Sequence, residues 1–215
     1  MHYTYQDIME LDRIDRLKVI NSITGIKPAN LIGTLDKDKT TNLAVFSSVI
    51  HLGSKPPLLG FIARPRSVDS GHTLRNIEEM RVYTINHIHP YFTKEAHYTS
   101  AKFKPSISEF DRCGFSEEYI EAFEAPFVME SVVKIGLRLK ELIPIPLNGT
   151  TLVIGEIAHL VMPDTAMEYG DMDLEQLRST GISGLNSYYE LKKIAQYPYV
   201  RAEEVPDFDK IKISE

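Results

Sequence analysis

The chain has 215 residues, with 24 Lys plus Arg against 30 Asp plus Glu and a formal net charge of −6. That length buries a full core as one domain, and an acidic balance without a block of Lys or Arg excludes a nucleic-acid binder, which needs a concentrated basic face. No stretch free of Asp, Glu, Lys and Arg approaches the about 20 apolar residues of a membrane span, and Cys113, the only cysteine, allows neither an intramolecular disulfide nor a cysteine-based metal cage.

In chain order, Ile8, Leu11, Ile14 and Leu17 recur every three residues between charged positions, which predicts an N-terminal helix over about residues 5–20. The start of the chain, MHYTYQDIMELDRIDR, is too charged for a secretion signal. With the single cysteine, this predicts a soluble protein of a reducing compartment, the cytoplasm. Pro28 resets the chain, and strands are expected at 29–35, 41–52, 58–63, 81–88, 132–140 and 150–161, each rich in Val, Ile, Thr, Tyr or Phe. In residues 133–140 apolar side chains alternate with Lys134, Gly136, Arg138 and Lys140, so Lys134 to Lys140 reads as the wet side of a strand. Short helices are expected over Thr73–Met80, Ser106–Arg112 and Ser116–Phe123, the last two behind good N-cap residue types. A tail over 197–215, with Pro198 and Pro206, is expected to wrap the surface.

No repeat, low-complexity tract or Gly/Ser linker divides the chain, so residues 1–215 form a single domain. Strands dominate and helices are inserted rather than alternating. This pattern predicts a mainly β, Greek-key barrel with α+β additions as peripheral helices, not a doubly wound sheet.

The common chemical motifs are missing. There is no G-x-G-x-x-G after a strand, no phosphate-binding P-loop and no G-x-S-x-G elbow. Cys113 has no activating neighbour in sequence and reads as a small core residue. His87 and His89 occupy alternate positions of a strand, with Glu95 and His97 following. That spacing permits a metal barrel, but Pro90 breaks the strand, and polar loop-end histidines are the plainer reading.

The chemistry concentrates in residues 40–76. Asn42 starts a strand whose end changes from apolar to polar at Phe46, Ser47 and Ser48. Two serines at a strand end offer hydroxyls and N–H groups to a planar heteroaromatic ligand, or they form an ordinary Ser-rich bulge. Arg64 ends the strand LLGFIA and leads into a loop before the helix at Thr73. A helix start carries free N–H groups, and Gly71 permits close approach of a ligand. Thr73 either caps that helix or donates to a phosphate, and His72 and Arg64 add charge.

These segments together, with VYTINHI, AHYTSAKFKPSISEFDRCGFS, TTLVIGEIAHLVM and GLNSYYEL, resemble the flavin reductase-like family of FMN-binding split barrels, in the family's order over roughly residues 20–190. The resemblance implies that Asn42, Val45, Phe46, Ser47 and Ser48 line the flavin ring and ribityl chain. It further implies that Arg64, His72, Thr73 and Asn76 hold the phosphate, and that Ser100 and Lys102 lie on a loop closing the site near a dimer partner. Where the family often has Lys-Asp-Thr, this chain has Gly71, His72 and Thr73, so Arg64, Lys102 or protonated His72 must replace the lysine. The implied activity is an NAD(P)H-dependent reductase: hydride passes to bound FMN and on to free flavin or another small-molecule electron acceptor, in a homodimer without nucleic-acid or membrane partners. No catalytic side chain and no metal are implied. The alternatives are an FMN-binding electron carrier or flavin store, a split barrel holding haem or pyridoxal phosphate, and the metal barrel on His87 and His89.

Overall fold

The computed structural model describes residues 1–65 and 71–209. The loop between Pro65 and Gly71, Ser70 included, and the last six positions of the tail lie outside the described residues.

Alternating apolar patterns deliver seven antiparallel strands of one sheet: β2 (Asn30–Leu35), β3 (Thr41–Phe46), β4 (Ile50–Ser54), β5 (Pro57–Ala63), β6 (Val82–His87), β9 (Lys134–Ile145) and β10 (Thr150–Val161). Shorter pieces are β1 (Lys27–Pro28), which pairs with β13 (Thr180–Ser183) and through it with β14 (Ser187–Glu190), and the two-residue pairs β7 (Glu117–Glu118) with β8 (Phe127–Val128) and β11 (Met167–Glu168) with β12 (Asp171–Met172). The helices are α1 (Tyr5–Glu10), α2 (Arg13–Ser22), α3 (His72–Met80), α4 (Thr93–Tyr98) and α5 (Glu109–Cys113).

The large sheet runs β3-β2-β6-β9-β10-β5-β4. Its two edge strands, β3 and β4, are consecutive in the chain and separated only by Ser47, Ser48 and Val49. Laid flat, six strand spacings of about 4.8 Å would hold those edges roughly 29 Å apart. Four Cα steps from Phe46 to Ile50 reach at most about 15 Å. The sheet must therefore curl into a barrel whose split is spanned by the two serines.

Inside the barrel Ile32, Phe61, Tyr83, Ile85, Leu137 and Val153 are fully buried, each contributing about 1.5–3 kcal/mol by burial. Phe61 contacts Phe46 edge-to-face at 5.0 Å and Tyr83 at 5.7 Å. A second cluster, with Leu31, Leu43, Phe110 and Val128, packs on the other side of β2 and β3 under α4 and α5. There the N–H of Leu43 on edge strand β3 donates to Glu109 Oε2 at 3.0 Å, which blocks that edge. Burial pushes the Glu109 carboxyl up, and this bond opposes the push.

Several sequence expectations need correction. The N-terminal helix is two helices breaking at Leu11 and Asp12, and neither contains a buried residue. The expected strand 41–52 is interrupted at residues 47–49, and 132–140 extends to Ile145. Ser116–Phe123 is not helical, because the Ser116 N–H is taken by the Glu130 carboxylate and residues 117–118 pair with β8. Lys134 is not on the wet face: it is buried and paired with Glu118, while Arg138 and Lys140 are exposed. Among the described residues the tail, 197–209, does not wrap the domain, since Tyr197 and Tyr199 are 82% and 90% exposed.

Candidate functional site

At the start of β3, Asn42 is buried, and its Nδ2 donates to Thr34 Oγ1 at 3.2 Å and Thr73 Oγ1 at 3.1 Å. Asn76 Nδ2 donates to the same Thr34 hydroxyl at 3.1 Å. Facing positions of β2 and β3 place Thr34 opposite Asn42, and α3 lays Thr73 and Asn76, one helical turn apart, over that pair. Three of the expected residues thus meet around Thr34, a hydroxyl that sequence patterning leaves unremarked.

Helix α3 begins behind Gly71, whose φ of 90° is left-handed and suits glycine. Gly71, the N-cap residue, has no side chain to cap the helix, and the first helical bond runs from Arg75 N–H to Gly71 O. The N–H groups of His72, Thr73 and Leu74 therefore precede the helical ladder. Asn42, His72 and Asn76 line a groove of about 260 Å³ between α3 and the β2–β3 turn, where Arg75 and Glu79 bring charge and Pro105 and Ile107 close one side.

At the far end of β3 the split presents Ser47 and Ser48, both half-buried, with backbone groups outside the β2–β3 and β4–β5 ladders. Ser48 Oγ accepts the Ile62 N–H at 3.1 Å and donates to Ile62 O at 3.3 Å. Phe46 packs into the barrel interior, whereas Val45 points to the opposite face and joins the cluster under α5. Their side chains cannot line one ligand from the same side.

Arg64 is exposed at the end of β5, beyond Ala63. Burial and then the Arg64 charge hold Lys27 below the usual lysine range. Lys27 Nζ donates to Asn21 O at 2.8 Å and Gly184 O at 3.1 Å, tying α2 to the β13–β14 turn. Lys27 is thus a second cation within electrostatic reach of Arg64. Ser100 and Lys102 follow α4 on the surface. Ser100 Oγ donates to His97 O at 2.7 Å, and it is the continuation of that loop, at Pro105 and Ile107, that reaches the groove.

His87 and His89 have separate partners. His87 Nδ1 lies 2.9 Å from Ser179 Oγ, and burial lowers its pKa to about 4. His89 Nδ1 accepts the Tyr91 N–H at 3.3 Å, and the ring sits 4.7 Å from the Tyr91 ring. No group of three His, Cys, Asp or Glu among the described residues is placed to hold a metal ion. Cys113 is a free thiol packed beside Phe110 and Phe115, raised in pKa by burial first and by the nearby Glu109 charge. Among the described residues no helix is long and apolar enough to cross a membrane.

Comparison with known proteins agrees with this architecture. The family model described as flavin reductase like domain matches residues 26–177. A candidate flavin reductase with a split barrel domain from Shewanella frigidimarina NCIMB 400 is 43% identical, with a TM-score of 0.89 over 93% of this chain and 100% of that one. Nitrilotriacetate monooxygenase component B from Bacillus cereus shares the fold at 18% identity and a TM-score of 0.80, covering 92% of this chain and 98% of its own. Flavoredoxin of Desulfovibrio vulgaris (Miyazaki F) does so at 22% identity and 0.70, covering 80% and 91%. With the match spanning the barrel, the split and the start of α3, the chain belongs to the flavin reductase-like domain family.

Proposed function

We propose that this chain binds FMN along β3, with the ring at the Ser47–Ser48 split and the phosphate at the start of α3, and works as an NAD(P)H-dependent flavin reductase. The observation that carries the reading is a pair of backbone donor sets near the two ends of one strand. Backbone N–H groups at Ser47 and Ser48 stand outside the ladders, and those of His72 to Leu74 precede the helical ones. The first set fits the carbonyls of a flavin ring, and the second fits a phosphate. Asn42 lies between them, fixed by Thr34 and Thr73.

FMN, when bound, supplies the hydride-accepting and electron-passing chemistry. The chain's own residues bind and orient. Phe46, braced edge-to-face on Phe61, gives the ring end an apolar wall. Ser48, fixed to Ile62, holds the link in one geometry. Arg64 is assigned the positive charge where the family often has a lysine before the Thr. Ser100 and Lys102, on the exposed surface after α4, are proposed to act from there when a second subunit closes the site.

In this reading the reductant, NADH or NADPH, docks transiently against the bound flavin, because the chain encodes no G-x-G-x-x-G unit for it. Electrons leave to free flavin or another small-molecule acceptor. The working unit is a homodimer in the cytoplasm.

The reading is tested by purifying the protein and denaturing it. A yellow holoprotein that releases FMN, identified by chromatography, is the expected result. A colourless protein that takes up no added FMN overturns it, and a Soret band would point to haem.

A further inference from the structure

Two segments of the chain lie against little of their own subunit. The first is the N-terminal arm. On α2, Ile14, Leu17 and Ile20 follow one another at three-residue spacing and are 57%, 37% and 43% exposed, and Ile23 just past the helix is 70% exposed. The second is the C-terminal arm. Lys193 Nζ and Gln196 Nε2 still reach Glu168 and Asp171 of the domain. Beyond them Tyr197, Tyr199, Val205 and Phe208 stand in water.

The N-terminal arm is fixed in shape rather than trailing. Thr4 and Asp7 form a capping box on α1, and Arg16 Nη1 donates to Met9 O at 2.7 Å, locking the corner between α1 and α2. Lys27 Nζ then ties the end of α2 to Gly184 of the domain. A stripe held outward by such bonds is organised before any partner arrives.

The surface area gives the scale. The protomer exposes 14246 Å², whereas a compact monomer of 24.4 kDa exposes about 10,000 Å². The excess of roughly 4,000 Å² per protomer is more than the about 1,000–2,500 Å² that each subunit of an obligate homodimer buries. Charge excludes the simplest other cover. Residues 1–26 carry Arg13, Arg16 and Lys18 against Asp7, Glu10, Asp12 and Asp15, so the arm lacks the cationic face of a helix that lies on an anionic membrane. A second copy presents both an exposed stripe and an exposed arm, and one two-fold operation covers all four.

We propose that α1–α2 and residues 197–209 are exchanged between two copies of this protein, each pair of arms burying the apolar stripe of the other subunit. The inference rests on the homodimer reading and specifies which surfaces build the dimer. Because Lys27, which anchors the N-terminal arm, lies three residues before Asn30, the partner of Phe46 in the β2–β3 ladder, the subunit boundary begins at the Ser47–Ser48 end of the proposed FMN site.

Light scattering after size exclusion tests this on the full chain, on the triple variant Ile14→Asp, Leu17→Asp, Ile20→Asp, and on the chain cut after Gln196. Twice 24.4 kDa is expected for the full chain, and about 24.4 kDa for each variant at micromolar concentration, with unchanged far-ultraviolet circular dichroism. A full-chain dimer whose variants stay folded and dimeric overturns the exchange and leaves the homodimer standing. A monomeric full chain overturns both. Should the variants misfold, mixed ¹⁴N- and ¹⁵N-labelled wild-type protein, equilibrated and treated with a lysine-reactive cross-linker, decides the matter. Cross-links from Lys18 that join peptides of different label support the exchange, and exclusively same-label links overturn it.

Discussion

Ser48 Oγ stands between the two backbone groups of Ile62, accepting its N–H at 3.1 Å and donating to its carbonyl at 3.3 Å. One side chain thus copies a rung of β-ladder at the place where the barrel has none. It also fixes the two-serine link that is proposed to meet the flavin ring. Ser48→Ala leaves both Ile62 groups without this partner and should cost about 1–3 kcal/mol. For a chain of this size that lowers the melting temperature by roughly 2–12 °C, as thermal unfolding would show. Ser48→Thr retains the hydroxyl and should recover most of the loss.

The barrel interior makes a sharper prediction. A Cβ at Gly155 would stand 2.2 Å from Tyr83 Oη and 3.1 Å from Leu137 Cβ. Tyr83 is fully buried, and its hydroxyl meets no hydrogen-bond partner among the described residues. Gly155→Ala should therefore destabilise by about 1–3 kcal/mol, whereas Tyr83→Phe should be neutral or stabilising. The double variant should regain part of the Gly155→Ala loss. Chemical denaturation of the four proteins measures that coupling.

Acid sensitivity should trace in part to His87. Burial lowers its pKa to about 4 in the folded protein, below the ordinary value of about 6.5. The folded state keeps the ring neutral while the unfolded chain takes up a proton. This costs nothing above pH 6.5, and stability is lost as pH falls from 6.5 toward 4, to the extent of about 3 kcal/mol. His87→Gln should flatten the stability curve across that window, as urea unfolding at stepped pH would reveal.

At the phosphate end, Thr73→Ala combined with Arg64→Ala should weaken FMN by ~10-fold or more while leaving riboflavin nearly unchanged, because bonds to a charged group contribute about 1.5–3 kcal/mol each. Fluorescence titration with both ligands separates the effects. Equal losses for the two would mean that these residues serve folding alone.

Strand identity was legible because period-two patterning is local: the main strands begin within two residues of their expected starts, except β4, which the break at Ser47–Val49 sets apart. What patterning missed depends on residues far apart in the chain. Ser116 looks like a helix cap until Glu130 takes its N–H. Lys134 looks solvated until Glu118, from another segment, pairs with it. At the site, Asn42, Thr73 and Asn76 were each nameable from motif resemblance. Thr34, which joins them, was not, because nothing in β2 itself marks it until α3 packs above. The strand alternation already implied that Val45 and Phe46 point apart. The arms show the reverse case: the α2 stripe was visible in sequence, and only the fold shows that its own subunit leaves it uncovered.

The measurement that bears most directly on the proposed reductase is anaerobic mixing of the FMN-loaded protein with NADH and, separately, NADPH, following the visible flavin band under argon. At least one nicotinamide should bleach it within minutes, added free flavin or a ferric chelate should restore oxidised FMN, and Cys113→Ala should behave alike, since the thiol is packed beside Phe110 and Phe115. If neither nicotinamide bleaches the band while dithionite does, the reductase reading is contradicted and the chain is an FMN-binding electron carrier or flavin store.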